Sequence, residues 1–248
     1  MTERRTQRYL WVTWLAKLMA GEVSCVWATW FRVHHQAYRR APSTFDRARW
    51  VVRHTELLNQ LEASRAGSSI HIWREDQASF RVPLSQTLTL AGRPDLVVFQ
   101  SSDAATIYDV KTGKQRQSDV VQVMLYMLCL PTAYPALRGT GLSGCVVYPD
   151  DEVITIPAEA ADTAFKRTAR YFVDLLDTEV PPRWVPSPSE CRFCDLTSAD
   201  CDQRIEWIGP GSVLRETPPG WTVGGWHLLP RAWLALGRKA GTIHRWSK

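Results

Sequence analysis

The chain has 248 residues, 45% of them hydrophobic, enough to bury a core of its own and to carry an appended subdomain. Thirty Lys and Arg against 25 Asp and Glu give a net charge of +5, which permits a polyanionic partner without requiring one. No stretch approaches the roughly 20 apolar residues that cross a bilayer, so no membrane span is predicted.

Basic residues before an apolar stretch at the N-terminus resemble a signal peptide, but Lys17 interrupts the stretch and its aromatic spacing is amphipathic, so a structural helix is expected. Residues 9–38 read as two short helices broken near Gly21, with Trp11, Trp14, Leu15 and Leu18 on one face. Ala41-Pro42-Ser43 then punctuates the chain. Ser43 and Asp46 resemble a capping box opening a helix that carries Phe45, Trp50, Val51, His54, Leu58 and Leu61, the last three on one face.

After Gly67-Ser68-Ser69 the periodicity shortens to that of strands, around 70–74, 79–82, 87–91, 95–99 and 105–111, and a meander is expected. An almost uniformly apolar helix over 120–128 follows, then strands at 142–148 and 153–156 and a helix over 159–177. The pattern predicts an α/β fold with helices covering a mixed sheet. The chain divides into an N-terminal helical segment over 1–40, a core over 41–180, a Pro-led cysteine cap over 181–207, and an unassigned Gly-, Pro- and Trp-rich extension over 208–248.

Two segments carry the chemistry, Gly92-Arg93-Pro94-Asp95-Leu96 and Asp109-Val110-Lys111-Thr112-Gly113. Residues two apart on a strand share a face, so Asp109 and Lys111 project together while Asp95 arrives from the neighbouring strand. Asp95, Asp109 and the Val110 carbonyl supply hard oxygen ligands for Mg²⁺ or Mn²⁺, and Lys111 is placed to orient or deprotonate a water. On the following helix Gln122 and Tyr126, at i and i+4, share one face.

Of six cysteines, Cys129 and Cys145 sit in apolar runs and are expected in the core. Cys191, Cys194 and Cys201 have metal-ligand spacing with no fourth donor nearby. Cys25 is the plausible fourth, which requires the fold to bring both ends of this stretch together.

In this order and spacing, G-R-P-D-L, D-V-K-T-G and Q-x-x-x-Y resemble the RecB-type branch of the PD-(D/E)-x-K nucleases, over roughly residues 9–205. The resemblance implies a restriction-endonuclease-like core, Asp95 and Asp109 as metal ligands, Lys111 as catalytic lysine, and Gln122 and Tyr126 beside the site. It also implies a further ligand from a preceding helix, with His54 preferred to Glu56 because His54 shares the inward face. The one-plus-three cysteines resemble the CRISPR-associated iron–sulfur exonucleases and the nuclease domains of recombination helicases, implying a [4Fe–4S] cluster on Cys25, Cys191, Cys194 and Cys201. Tetrahedral Zn²⁺ suits the same four thiols.

The function implied is hydrolysis of DNA at single-stranded or frayed ends, with CRISPR adaptation or repair proteins as partners and the cytoplasm as location. The competing readings are a non-catalytic DNA-binding adaptor with a metal cap and a restriction-like endonuclease. No G-x-x-x-x-G-K-[ST] loop is present, so ATP-driven unwinding is not expected of this sequence. Arg39, Arg40, Arg47, Arg49, Arg53, Arg74, Lys114 and Arg116 supply cations around the candidate site.

Overall fold

The computed structural model describes residues 2–65, 71–149 and 152–205; the extension assigned to 208–248 and the Gly67-Ser68-Ser69 turn lie outside the described residues. In chain order the elements are β1 (Glu3–Arg4), β2 (Arg8–Trp11), α1 (Val12–Met19), α2 (Val26–His34), β3 (His35–Gln36), α3 (Arg47–Arg65), β4 (His71–Arg74), α4 (Glu75–Ala78), β5 (Phe80–Pro83), β6 (Leu88–Gly92), β7 (Leu96–Phe99), β8 (Ala104–Val110), α5 (Gln117–Ala133), β9 (Gly141–Val147), β10 (Val153–Ile156), α6 (Thr163–Asp177) and α7 (Pro188–Phe193).

Five strands form the main sheet in the order β10-β9-β8-β7-β4. Its pairs are antiparallel except β8 with β9, whose parallel pairing needs the crossover that α5 provides. Successive side chains point to opposite faces. Leu96, Val98, Tyr108 and Val110 therefore pack with Leu58 and Leu61 of α3, while Val97, Ala105 and Ile107 join the larger core on the other side. That larger core holds α1, α5 and α6. The fold is the mixed α/β architecture expected of a restriction-endonuclease-like core.

The predicted meander is broken. β5 and β6 form a hairpin that leaves the main sheet and pairs with β2 in a second, three-stranded sheet. Proline cannot donate to a ladder, and Pro94 separates β6 from β7, where the chain changes sheets. α5 touches β5 of this second sheet and β8 and β9 of the main one. Being buried from Ser118 to Met127 without interruption, it needs no polar stripe, which accounts for its uniformly apolar sequence.

Three further expectations are corrected. Residues 9–11 are not helical: Tyr9, Leu10 and Trp11 pair with Thr89, Leu90 and Ala91, and the period-two burial of Arg8 and Leu10 against exposed Trp11 suits an aromatic-rich strand. Ser43 does not cap α3. Asp46 does, its Oδ1 accepting from the Arg49 N–H at 3.0 Å, while the Ser43 hydroxyl accepts from Phe45 in the preceding turn. The predicted helix over 159–177 starts later, at Thr163, with Asp162 accepting from the Phe165 N–H.

The end of α6 is tied back to the first strands and helices. Buried Arg8 pairs with Asp177 at 2.7 Å, the Trp30 indole N–H donates to Thr178 O at 2.8 Å, and His34 Nε2 lies 2.9 Å from Leu176 O. Cys129 and Cys145 are buried, as expected of small apolar side chains.

Candidate active site

Asp95 immediately precedes β7, and Asp109 is the penultimate residue of β8, so the register Leu96↔Tyr108 brings the two acids to the same end of the sheet. Both are buried, at 7% and 2% exposure. Asp95 Oδ2 accepts from the Val110 N–H at 2.6 Å, which fixes one carboxylate oxygen and ties Val110 into the site.

Asp109 points toward α5. Its Oδ2 lies 2.6 Å from Lys111 Nζ but accepts no hydrogen bond of good geometry, and its Oδ1 accepts from Gln122 Nε2 at 3.0 Å. Lys111 Nζ in turn donates to Gln122 Oε1 at 3.3 Å. The second Gln122 N–H donates to Tyr126 Oη at 2.9 Å, and the Tyr126 hydroxyl donates to Arg93 O at 3.3 Å. One amide thus spans the acid, the ammonium and the phenol, and the predicted face of α5 is the face turned to Asp109 and Lys111.

Burial pushes the Asp109 carboxyl above its ordinary value, with Lys111 opposing and Asp95 adding to the rise. Lys111 is held above its ordinary value because Asp109, Asp119 and Asp95 outweigh the cost of burying the ammonium. Tyr126 is raised well above the usual phenol range by burial and by the same two acids, so it keeps its proton and donates.

His54 reaches the site from α3, on the opposite face of the sheet, with Nε2 3.3 Å from Asp95 Oδ2. This hydrogen bond raises the imidazole above its ordinary value despite burial. Glu56 is exposed. Among the described residues, His54, Glu75 and Asp95 form the one group of three or more potential ligands whose donor atoms all lie within 4.8 Å of one another.

Glu75 was not anticipated. It opens α4 where β4 ends, its N–H donates to Asp95 O at 3.0 Å, and its carboxylate pairs with Arg93 at 2.7 Å. An acid in a helical first turn ordinarily reads as a dipole partner, and only the pairing of β4 with β7 brings it beside Asp95. Asp119 was also missed: it lies 3.7 Å from Lys111 Nζ and accepts from the Tyr148 hydroxyl at 2.8 Å. Its place three residues into the helix after D-V-K was the available signal.

The four singled-out cysteines gather at a second place. Cys25 precedes α2, Cys191 lies in α7, Cys194 ends that helix, and Cys201 follows; all four line one cavity of about 820 Å³. Burial and the other three thiols push Cys201 up to about 11. The two segments are also fastened by polar contacts. The Glu190 carboxylate accepts from the Ser24 and Cys25 N–H groups at 2.8 and 3.0 Å, and Arg32 donates to Asp195 at 2.6 Å and to Cys194 Sγ at 3.4 Å.

The end of the sheet presents buried acids and a lysine, with an imidazole and a further carboxylate close by, a donor set of the kind that can hold a divalent metal. The chain belongs to the PD-(D/E)XK nuclease superfamily, whose family model matches residues 12–199. Such nucleases use divalent metals and act on nucleic acid.

A search of curated proteins gives no match. Among solved structures the chain is similar to the crystal structure of SSO0001, at 16% identity and a TM-score of 0.43, covering 82% of this chain and 89% of that one. It is also similar to an alkaline exonuclease, LHK-Exo, from Laribacter hongkongensis, at 13% identity and a TM-score of 0.39, covering 68% and 88%. No helix of the described residues is long and apolar enough to cross a membrane.

Proposed function

We propose that this protein is a DNA nuclease that hydrolyses phosphodiester bonds at single-stranded or frayed ends, in DNA repair, recombination or CRISPR-related processing in the cytoplasm. The observation that carries the reading is the junction of Asp109 and Lys111 through Gln122, beside the His54–Glu75–Asp95 group.

The donors suit a divalent cation. Asp109 Oδ2 is buried with Lys111 Nζ at 2.6 Å as its counter-charge, and carboxylates combined with an imidazole favour Mn²⁺ over Mg²⁺. His54, Glu75, Asp95 and Asp109, with the Val110 carbonyl, would hold it. When bound, the cation supplies charge that activates a water and offsets the negative charge developing on the phosphate.

The chain's own groups set the geometry. Gln122 holds the Lys111 ammonium and the Asp109 carboxylate in fixed relation, and Tyr126 occupies the amide's second N–H so that it cannot swing away. Lys111 is positioned to share a proton with the attacking water, since its counter-charge is a carboxylate that a cation would also claim.

Cys25, Cys191, Cys194 and Cys201 fit a [4Fe–4S] cluster with a structural role. Tetrahedral Zn²⁺ suits the same four thiols, and the visible spectrum of the purified protein separates the two.

The test is anaerobic purification with recording of the visible spectrum, followed by Mn²⁺-dependent cleavage of end-labelled single-stranded DNA by wild type and Lys111→Ala. Brown protein with cutting lost in the variant is expected. Equal cutting by both would overturn the catalytic assignment, and cleavage of closed circular DNA would transfer the protein to the endonucleases.

A further inference from the structure

The N-terminal half of α3 carries a surface that the cleavage chemistry does not use. Phe45 is 62% exposed and Trp50 38%, with Val51 and Val52 also open to solvent. Most exposed large apolar side chains stand alone; here two aromatic rings lie 6.3 Å apart. Arg47, Arg49 and Arg53 occupy the same turns and are exposed, and the only acid between Phe45 and His54 is the cap residue Asp46.

The position of this surface is its most informative property. Trp50 stacks on His54, centroid to centroid 4.9 Å at an interplanar angle of 29°. His54 Nε2 is 3.3 Å from Asp95 Oδ2. Trp50 therefore stands directly against a member of the donor group at the sheet's end while remaining 38% exposed.

Three cations mixed with exposed aromatic rings complement one ligand chemistry, a chain of phosphates carrying planar bases. Duplex DNA keeps its bases stacked on each other and offers chiefly phosphates at its surface, so it would leave Phe45 and Trp50 unpaired. Unpaired bases have free π-faces.

We infer that Phe45 and Trp50 form a base-stacking step for single-stranded DNA, with Arg47, Arg49 and Arg53 holding the flanking phosphates, so that the strand is presented to the site beside His54. The inference rests on the nuclease reading and names how that site selects an unpaired strand. Trp50 is a substrate-binding residue, and its stacking on His54 sets the distance between base and site.

The experiment is equilibrium binding of a fluorescein-labelled oligothymidylate, the same oligonucleotide with abasic positions, and a blunt duplex of equal length, read by anisotropy without divalent cation. Trp50→Ala should weaken oligothymidylate binding by about ten-fold, Phe45→Ala by somewhat less, and Trp50→Phe only slightly. Duplex and abasic-strand binding should change by less than about two-fold. Replacing Arg47, Arg49 and Arg53 by Ala should flatten the salt dependence by about 0.7 in the log–log slope for each phosphate deprived of its guanidinium.

Weakened binding of all three ligands together in Trp50→Ala, with an unchanged thermal melt, would overturn the stacking step but leave the nuclease reading intact. Wild-type protein that binds no DNA at all would instead sink the nuclease reading. Concentration-dependent self-association that Trp50→Ala abolishes would assign this face to a second copy of the chain and remove the inference.

Discussion

Gln122 Nε2 donates to Asp109 Oδ1 at 3.0 Å while its own Oε1 accepts from Lys111 at 3.3 Å, so a helix amide bridges an acid of β8 and the lysine just past its end, whose pairing it also orients. Hydrogen bonds to charged groups contribute about 1.5–3 kcal/mol each. Gln122→Ala should therefore slow Mn²⁺-dependent cleavage by about ten- to a hundred-fold, with a smaller effect on DNA binding. Single-turnover rates at saturating DNA check this, and a rate equal to wild type would remove Gln122 from the site.

Glu75 makes a separate prediction because it already has a partner in Arg93. If it is a ligand beside His54 and Asp95, Glu75→Gln should raise the Mn²⁺ concentration for half-maximal cleavage by at least about ten-fold. An unchanged metal titration would make Glu75 a structural ion-pair partner only.

The four thiols predict a shared effect. Cys25→Ser should remove the visible absorbance of the purified protein as completely as Cys194→Ser does, although 169 residues separate the two positions, because both line one cavity. Retained colour in Cys25→Ser would exclude it from the ligand set. Arg32→Gln should leave colour at first and hasten its fading in air, since the guanidinium donates to Cys194 Sγ and is anchored by Asp195.

His34 sets a pH dependence of stability. It is 1% exposed, Nε2 faces Leu176 O, and Nδ1 has no partner among the described residues, so a second proton would be buried unpaired; burial lowers the imidazole to about 4. The unfolded chain protonates the ring near 6.5 and the folded chain resists until about 4, so the ring has no effect on stability above 6.5 and becomes a penalty as pH falls through that window. At pH 5 the penalty is about 2 kcal/mol. His34→Gln keeps a donor for Leu176 O without titrating, so its unfolding free energy should fall less than that of wild type between pH 7 and pH 5. Parallel denaturant curves at the two pH values measure the difference, and equal falls would remove His34 from the acid response.

Gly92 is required by close approach. A Cβ there would stand 2.5 Å from Phe80 Cζ and 2.8 Å from Tyr126 Cε1. Gly92→Ala should destabilise the fold by about 1–3 kcal/mol through overpacking, and it should slow cleavage by displacing the ring that holds Gln122. Thermal melts and cleavage rates test both, and a lower melting point with an unchanged rate would uncouple Tyr126 from the site.

Elements whose pattern is local were legible in the chain alone. Short β-branched and apolar runs placed β7 and β8, an unbroken apolar run placed α5, and the two-residue spacing of Asp109 and Lys111 put both on the face that meets Gln122 and Tyr126. His54 was marked in the same way, because Leu58 and Leu61 share its face. Tertiary structure decided what depends on partners distant in the chain. Tyr9–Trp11 could have continued a helix, and it became a strand because β6 offered a parallel edge to Leu10. The β5–β6 hairpin could have stayed in a meander, and β2, far earlier in the chain, gave it a different neighbour. Glu75 became a potential ligand only when β4 paired with β7, and Cys25 joined its three distant counterparts only when Glu190 and Arg32 fastened α2 to α7. Local propensity fixes which face of an element is apolar; which surface that face meets is settled by burial across the whole chain.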